Sequence, residues 1–317
     1  MNEQVKGSVP EVSVVVPVFN EEHNIPLMLE RLRKVFAQMQ LSYEVVMVDD
    51  GSRDGSLALL RKLVKEDGAL RYRSFSRNFG HQIATSAGLD AARGKVVVVI
   101  DGDLQDPPEL IPELYRAYDT GAKVVVARRR RRKGESWAKR LTAALFYRLM
   151  RRITHIDIPL DTGDFRLMDA QVVQALKAMP EHHKFLRGQI AWLGFPTAEV
   201  TYDRDARHAG RTGYTYRKML RFAFDGITAF SNTPLKLASV LGFFFSMVAF
   251  IIILYALYSR FFLNQTITGW TSLIISSMFM GGVQLFTLGI MGEYLSRINS
   301  DVRGRPLYVV AEEGGKD

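Results

Sequence analysis

The sequence predicts an α/β fold: a doubly wound, mainly parallel sheet, followed by amphipathic juxtamembrane helices and a two-helix transmembrane hairpin. Three observations predict it. Short β-branched runs alternate with helical patterns between residues 11 and 129, the order expected of βαβ units. Several of these runs stop on Asp, Asn, Gly or Pro, the residues of a ligand-bearing sheet rim. After Pro234 the charges vanish twice, from Leu237 to Tyr258 and from Phe261 to Gly292.

The elements follow in order. Residues 1 to 10 read as a loose tail. "EVSVVVPVFN" (11–20) is a strand that stops at Pro17, and a helix runs on to about Gln38 with Pro26 in its first turn. "YEVVMVDDGSRDGS" (43–56) is a second strand ending on Asp49 and Asp50, with a helix to about Glu66. "LRYRSFSRNFG" (70–80) gives a third strand and loop, and "HQIATSAGLDAAR" (81–93) a helix. The strand 95–100 follows, then a helix opened by Pro107-Pro108, and "GAKVVVARR" (121–129) is a fifth strand.

The fourth strand carries the sharpest chemical signal. Its apolar run, Val96 to Ile100, ends at once on Asp101-Gly102-Asp103, with Gln105 just beyond. Two carboxylates and an amide oxygen form a hard oxygen set suited to Mg²⁺ or Mn²⁺ rather than zinc. A lone D-x-D is also an ordinary strand-to-turn exit. Three strand ends of one sheet bearing such residues favour a cleft. No G-x-x-x-x-G-K-[ST] loop and no G-x-G-x-x-G after the first strand is present, which argues against ATPases and dinucleotide enzymes. The six histidines have no tight metal spacing, and the absence of cysteine excludes disulfide and thiolate chemistry.

The uncharged segments are long enough to cross a hydrocarbon core about 30 Å thick at about 1.5 Å per residue. Arg217, Lys218, Arg221 and Lys236 precede them, and Arg297, Arg303 and Arg305 follow, while Arg260 stands between. The positive-inside rule then places both ends and the N-terminal domain in the cytoplasm. The formal charge of +9 fits an anionic partner. "GESWAKRLTAALFYRLMRR" (134–152) repeats apolar Trp137, Leu141, Leu145 and Leu149 beside Arg148, Arg151 and Arg152. It reads as a helix on an anionic membrane surface, with a nucleic-acid arm and an ordinary surface helix as rival readings. Residues 214–230 have a similar pattern. "PLYVV" in the C-terminal tail reads as a short strand that needs a sheet edge, its own domain's or a neighbour's.

Together "VVPVFNEE" (15–22), "VDDGS" (48–52), "SRNFGHQ" (76–82), "DGDLQDPPE" (101–109) and "GDFRLMD" (163–169) resemble glycosyltransferase family 2. The resemblance is to its polyprenyl-phosphate branch, which includes bactoprenol glucosyltransferases and dolichyl-phosphate mannose synthases. It covers nearly the whole chain. It implies a cytoplasmic GT-A domain at 1–213, a juxtamembrane segment at 214–234, two transmembrane helices at 235–297 and a cytoplasmic tail at 298–317. It implies an inverting, metal-dependent hexosyltransferase of the inner membrane that moves one sugar from a nucleotide donor to undecaprenyl phosphate. UDP-glucose is the donor implied by the layout; GDP-mannose or an aminosugar donor stays open, as do a processive synthase and a non-enzymatic scaffold. Nucleic acid is not among the implied partners, and a homotetramer is.

Residue by residue, the resemblance assigns Pro17, Phe19 and Glu21 to the donor-nucleotide loop and Asp50 to the nucleoside. Asp101, Asp103 and Gln105 match the Mg²⁺ or Mn²⁺ site, with Asp101 and Gly102 also at the donor diphosphate. Asp164 matches a carboxylate at the reacting centre, with Arg166 beside it and Asp103 as a further catalytic residue. Arg128 and Arg207 match basic positions that meet donor phosphates. Arg148, Arg151, Arg152 and Arg211 are the candidates for the acceptor phosphate and membrane. The family often carries lysine where Gly213 stands in "AGRTGY", and Arg211 is near enough to replace it.

Overall fold

The computed structural model describes residues 9–130, 162–203, 231–262 and 269–315. These fall into two units, one built on a sheet and one on two long helices. The sheet has eight strands: β1 (Val12–Val18), β2 (Tyr43–Asp49), β3 (Leu70–Phe75), β4 (Val96–Val99), β5 (Val124–Arg129), β6 (Thr162–Asp169), β7 (Thr197–Tyr202) and β8 (Val310–Gly314). Their order is β7-β5-β6-β4-β1-β2-β3-β8. The pairs β1/β2, β1/β4, β2/β3 and β5/β7 are parallel. The pairs β3/β8, β4/β6 and β5/β6 are antiparallel, so the sheet is mixed.

Helices cover both faces. Period-two alternation divides β1, sending Val12, Val14 and Val16 to one face and Val15 to the other. The first face packs on α1 (Ile25–Met39), α2 (Ser56–Glu66) and α4 (Ile111–Asp119) through Met28, Leu32, Leu60 and Leu114. The second packs on α3 (His81–Ala91), α5 (Ala170–Lys177) and α6 (Leu186–Leu193) through Ala84, Ala87, Val172 and Ile190. Burial on both faces is why β1 is apolar at nearly every position, with Ser13 its one polar residue. In α1 the buried residues Ile25, Met28, Leu29, Leu32, Val35 and Phe36 follow helical spacing, and the helix stops where Gln40 turns left-handed.

Two strands, β6 and β7, lie beyond those expected. β6 fits between β4 and β5, and β7 extends the sheet past β5. The C-terminal strand spans Val310–Gly314, beginning on the last residue of "PLYVV" and so shifted four residues from it, and its edge is β3 of its own sheet. Side chains set that position. The Tyr308 ring stacks on Phe75 at 5.0 Å, the Tyr308 hydroxyl donates to Asp90, and Glu312 is held by Arg61 and Tyr72.

The second unit holds α7 (Thr233–Phe262) and α8 (Trp270–Val302). Phe245 meets Phe279, and Tyr294 donates to the Ser231 carbonyl, so one index falls as the other rises and the helices are antiparallel. By length and composition Thr233–Ile252 is apolar enough to cross a membrane, with mean hydropathy 2.2. Large apolar side chains such as Phe243, Ile251, Met278 and Leu285 stand exposed on the two helices.

Candidate active site

The rim follows from strand order. β4, β1 and β2 are parallel neighbours, so Val99, Val18 and Asp49 end at the same edge. β6 runs the other way beside β4, with Val99 opposite Arg166. Continuing that register by two residues sets Asp101 opposite Asp164. A carboxylate pair across two strands repels, and the surrounding residues supply compensation.

His81, the first residue of α3, bridges the pair: Nε2 is 3.1 Å from Asp164 Oδ2 and 3.4 Å from Asp101 Oδ1. Gln82 Nε2 donates to the same Asp164 oxygen at 3.3 Å, while Gln82 Oε1 accepts from the Leu186 amide at the start of α6. On the other oxygen, Asp164 Oδ1, Arg187 Nε donates at 2.9 Å and Arg166 Nη2 at 3.3 Å. Arg166 is buried and also donates to the Gly163 carbonyl.

The two carboxylates are driven apart in acidity. Loss of water pushes Asp101 up to about 6, reinforced by Asp164, Asp106 and Asp103 against the pull of His81. Burial would raise Asp164 as well, but the His81 hydrogen bond and the Arg187 and Arg166 charges hold it well below the ordinary carboxylate value. Burial opposes charge on His81, and the Asp164 bond with the two acidic neighbours outweighs it and raises the pKa. Burial brings Arg166 down to about 10, with Arg187 adding to the effect.

The other expected positions divide. Pro17 lies on β1, and Gly102 comes so close to its carbonyl that a Cβ would stand 3.0 Å from it. Phe19 is exposed beside the same edge. Glu21 Oε2 accepts from Asn24, and the Glu21 amide donates to Ser56 Oγ. Asp50 is buried and holds the loop between β3 and α3, accepting from the Phe79 and Gly80 amides at 2.6 and 2.9 Å. Asp103 Oδ1 accepts from the Gln105 amide at 3.2 Å, around Leu104, a buried leucine with φ of 60°. Left-handed backbone at a leucine is costly and marks a loop fixed by its surroundings. Arg128 pairs with Glu199 at 2.8 Å, whereas its neighbour Arg129 turns toward the buried Asp106. Arg148, Arg151, Arg152, Arg207 and Arg211 lie outside the described residues.

One atom bears on a metal ion. Asp101 Oδ1 is buried without a hydrogen-bond partner, an arrangement that suits a ligating oxygen. Ligand atoms of His81, Asp101 and Asp164 lie within 4.8 Å of one another. Asp164 fits a cation poorly, because both of its oxygens already accept from donors, two of them guanidinium groups. Asp101 fits well.

His81, Gln82 and Arg187 received no role from sequence. The first two stand in the quoted "SRNFGHQ", and Arg187 lies 23 residues from Asp164 in a stretch with no motif. Only the antiparallel placement of β6 brings them together.

The family model described as Glycosyl transferase family 2 matches residues 13–177. An uncharacterized glycosyltransferase of Bacillus subtilis, YkcC, is 48% identical over 305 residues, covering 96% of this chain and 94% of that protein. The SfII prophage-derived bactoprenol glucosyl transferase of Shigella flexneri is 38% identical over 300 residues, covering 95% and 97%. Glucosyl-3-phosphoglycerate synthase of Mycobacterium tuberculosis, solved with Mn²⁺, UDP and phosphoglyceric acid, is 20% identical over 69% of this chain and 76% of that one, with a TM-score of 0.49. That likeness is too loose to carry weight. On the family match and the near full-length relatives, the chain belongs to glycosyl transferase family 2 and is a glycosyltransferase.

Proposed function

We propose that the protein transfers a single sugar from a nucleotide donor to the phosphate of a polyprenyl lipid at the cytoplasmic face of a membrane. The observation that carries this reading is the rim itself, a buried carboxylate oxygen at Asp101 with no hydrogen bond, its nearest cation being His81 at 3.4 Å, beside the cations gathered on Asp164. Such a rim accommodates a diphosphate and a second, incoming phosphate. Support for a lipid acceptor comes from the bactoprenol glucosyl transferases of Shigella flexneri and phage SfV, matched over at least 95% of this chain at 38% identity. The long apolar helix and the basic residues before and after the helical pair support a bilayer location, with α7 and α8 both spanning and the termini on the cytoplasmic side.

In this reading Pro17, Phe19, Glu21, Asp50 and Gly102 line the donor site, with Arg128 and Arg207 toward its phosphates. Asp101, Asp103 and Gln105 are the residues to hold Mg²⁺ or Mn²⁺, which when bound would offset charge growing on the nucleotide leaving group. The acceptor phosphate monoester has a second pKa of about 6 and is largely a dianion near neutral pH, so it attacks with little need of a general base. Direct attack inverts the anomeric carbon. UDP-glucose is the preferred donor, and assembly as a homotetramer belongs to the same reading. Membranes carrying the protein, incubated with labelled nucleotide sugars and undecaprenyl phosphate, should pass label into lipid from one donor. Label in long polymer instead would favour a processive synthase, and no label in lipid from any donor would reject the proposal.

A further inference from the structure

Asp164 is the most heavily bonded side chain at the rim. A carboxylate offers about four acceptor positions. His81 and Gln82 take those on Oδ2, and Arg166 and Arg187 those on Oδ1. A group bound this way has little capacity left for a substrate proton. What it can do is hold its partners in place.

Those partners differ in access. The Arg166 side chain is only 6% exposed, whereas Arg187 is 30% and His81 44% exposed. Arg166 therefore backs the carboxylate, and Arg187 and His81 are the more exposed of its charged donors. By contact the order runs Asp101, His81, Asp164, Arg187. Arg187 thus stands across Asp164 from the carboxylates assigned to the donor diphosphate. A guanidinium in that place is matched in shape and charge to a phosphate monoester.

We infer that Arg187, aimed by Asp164 and flanked by His81, receives the acceptor's phosphate, and that Asp164 is a positioning residue rather than the general base. The inference deepens the proposed function and rests on it. The phosphate dianion supplies its own electron pair: its oxygen bonds to the anomeric carbon as the bond to the donor diphosphate breaks, and no proton has to leave through Asp164.

The test uses full-length protein in detergent with UDP-glucose and undecaprenyl phosphate, alongside calorimetric donor binding. Arg187→Ala should raise the acceptor KM by about tenfold or more, the loss of a charge-assisted hydrogen bond, and leave the donor Kd within about twofold. Arg187→Lys should recover part of the acceptor affinity. Asp164→Asn keeps an acceptor oxygen for Arg187 and should act mainly through acceptor KM. A general base would instead lose kcat by about 100-fold or more at constant KM, and that result would overturn the positioning role. An unchanged acceptor KM in Arg187→Ala, or a weakened donor Kd with acceptor KM intact, would overturn the phosphate assignment. If the alanine variant fails to fold, Arg187→Gln gives the same reading with length preserved. Wild-type protein that passes no sugar to the lipid from any nucleotide donor rejects the parent proposal, and this inference with it, before any variant is compared.

Discussion

Gly88 sets the distance between α3 and the sheet, and replacing it with alanine should disturb both stability and the rim. A Cβ there would lie 2.2 Å from Val15 Cγ1 and 3.3 Å from Val48 Cγ2. Carbon atoms prefer about 3.5–4.0 Å, so α3 must withdraw by more than about 1 Å. Val15 cannot yield, being fully buried and stiff at χ1. Overpacking of this kind costs about 1–3 kcal/mol, and so deep a clash belongs to the upper part of that range. Alanine recovers up to about 1 kcal/mol of helix propensity, leaving a net loss of about 1–2 kcal/mol. For a domain of this size that lowers Tm by about 2–8 °C. His81 lies two turns away on the same helix, and a displacement of about 1 Å there should slow transfer by up to about 100-fold. Gly68→Ala is the control, since a Cβ at Gly68 meets nothing within 4 Å. The readouts are Tm by intrinsic fluorescence and the rate of sugar transfer. A Gly88→Ala protein as stable and as fast as the Gly68→Ala control would refute the argument.

Three further outcomes are expected. Burial raises Glu44 and Asp169, but hydrogen bonds from Ser13 and the Arg93 amide outweigh it at Glu44, as Lys123 and the Gln171 amide do at Asp169, and both end below their ordinary values. Such groups bind fewer protons folded than unfolded, so their stabilisation is complete above their ordinary values, about pH 4–4.5, and is lost below them as pH falls toward the lowered folded values; Tm should drop below that pH, less steeply in Glu44→Gln, and an equal slope would contradict the assignment. Asp101→Ala and Asp103→Ala should each abolish the dependence of donor binding on Mg²⁺ or Mn²⁺, and wild-type donor binding that is as tight in EDTA would remove the ion from the site. Deleting residues 306–317 takes away β8 and the Tyr308 ring and should lower the Tm of the sheet unit by several degrees; an unchanged Tm would mean that the strand adds nothing to the fold.

The alternating first half was legible because valine runs, turn residues and helical spacing are local signals, and β1 to β5 fall where they predict. β6 was not, since "TGDFRLMD" places Asp164 and Arg166 inside a strand and has no clean alternation. Asp164 stands there at the rim with the buried Arg166 behind it, so the feature that hides the strand is its chemistry. β8 was misplaced by four residues because Glu312 and Glu313 look like tail, whereas Arg61, Tyr72 and Arg73 pair with them. Asp101 and Asp103 were legible as a motif. The convergence of His81 and Arg187 on Asp164 was not, because it depends on contacts 83 and 23 residues apart.

The last strand also sets an order of events during synthesis. β3 and β8 meet through Tyr72 and Glu312, 240 residues apart. At about 5–20 residues per second the ribosome leaves the edge of β3 waiting roughly 12–48 s for its partner. An open edge is an invitation to pair with another chain. β3 meets that interval with Arg73, whose partner Glu313 has yet to be made, a charge that discourages a stray strand. The sheet therefore cannot be finished until both long apolar helices have left the ribosome. A chain stalled or cut before its second helix would keep an unfinished edge, and quality-control proteases could recognise it by that edge alone.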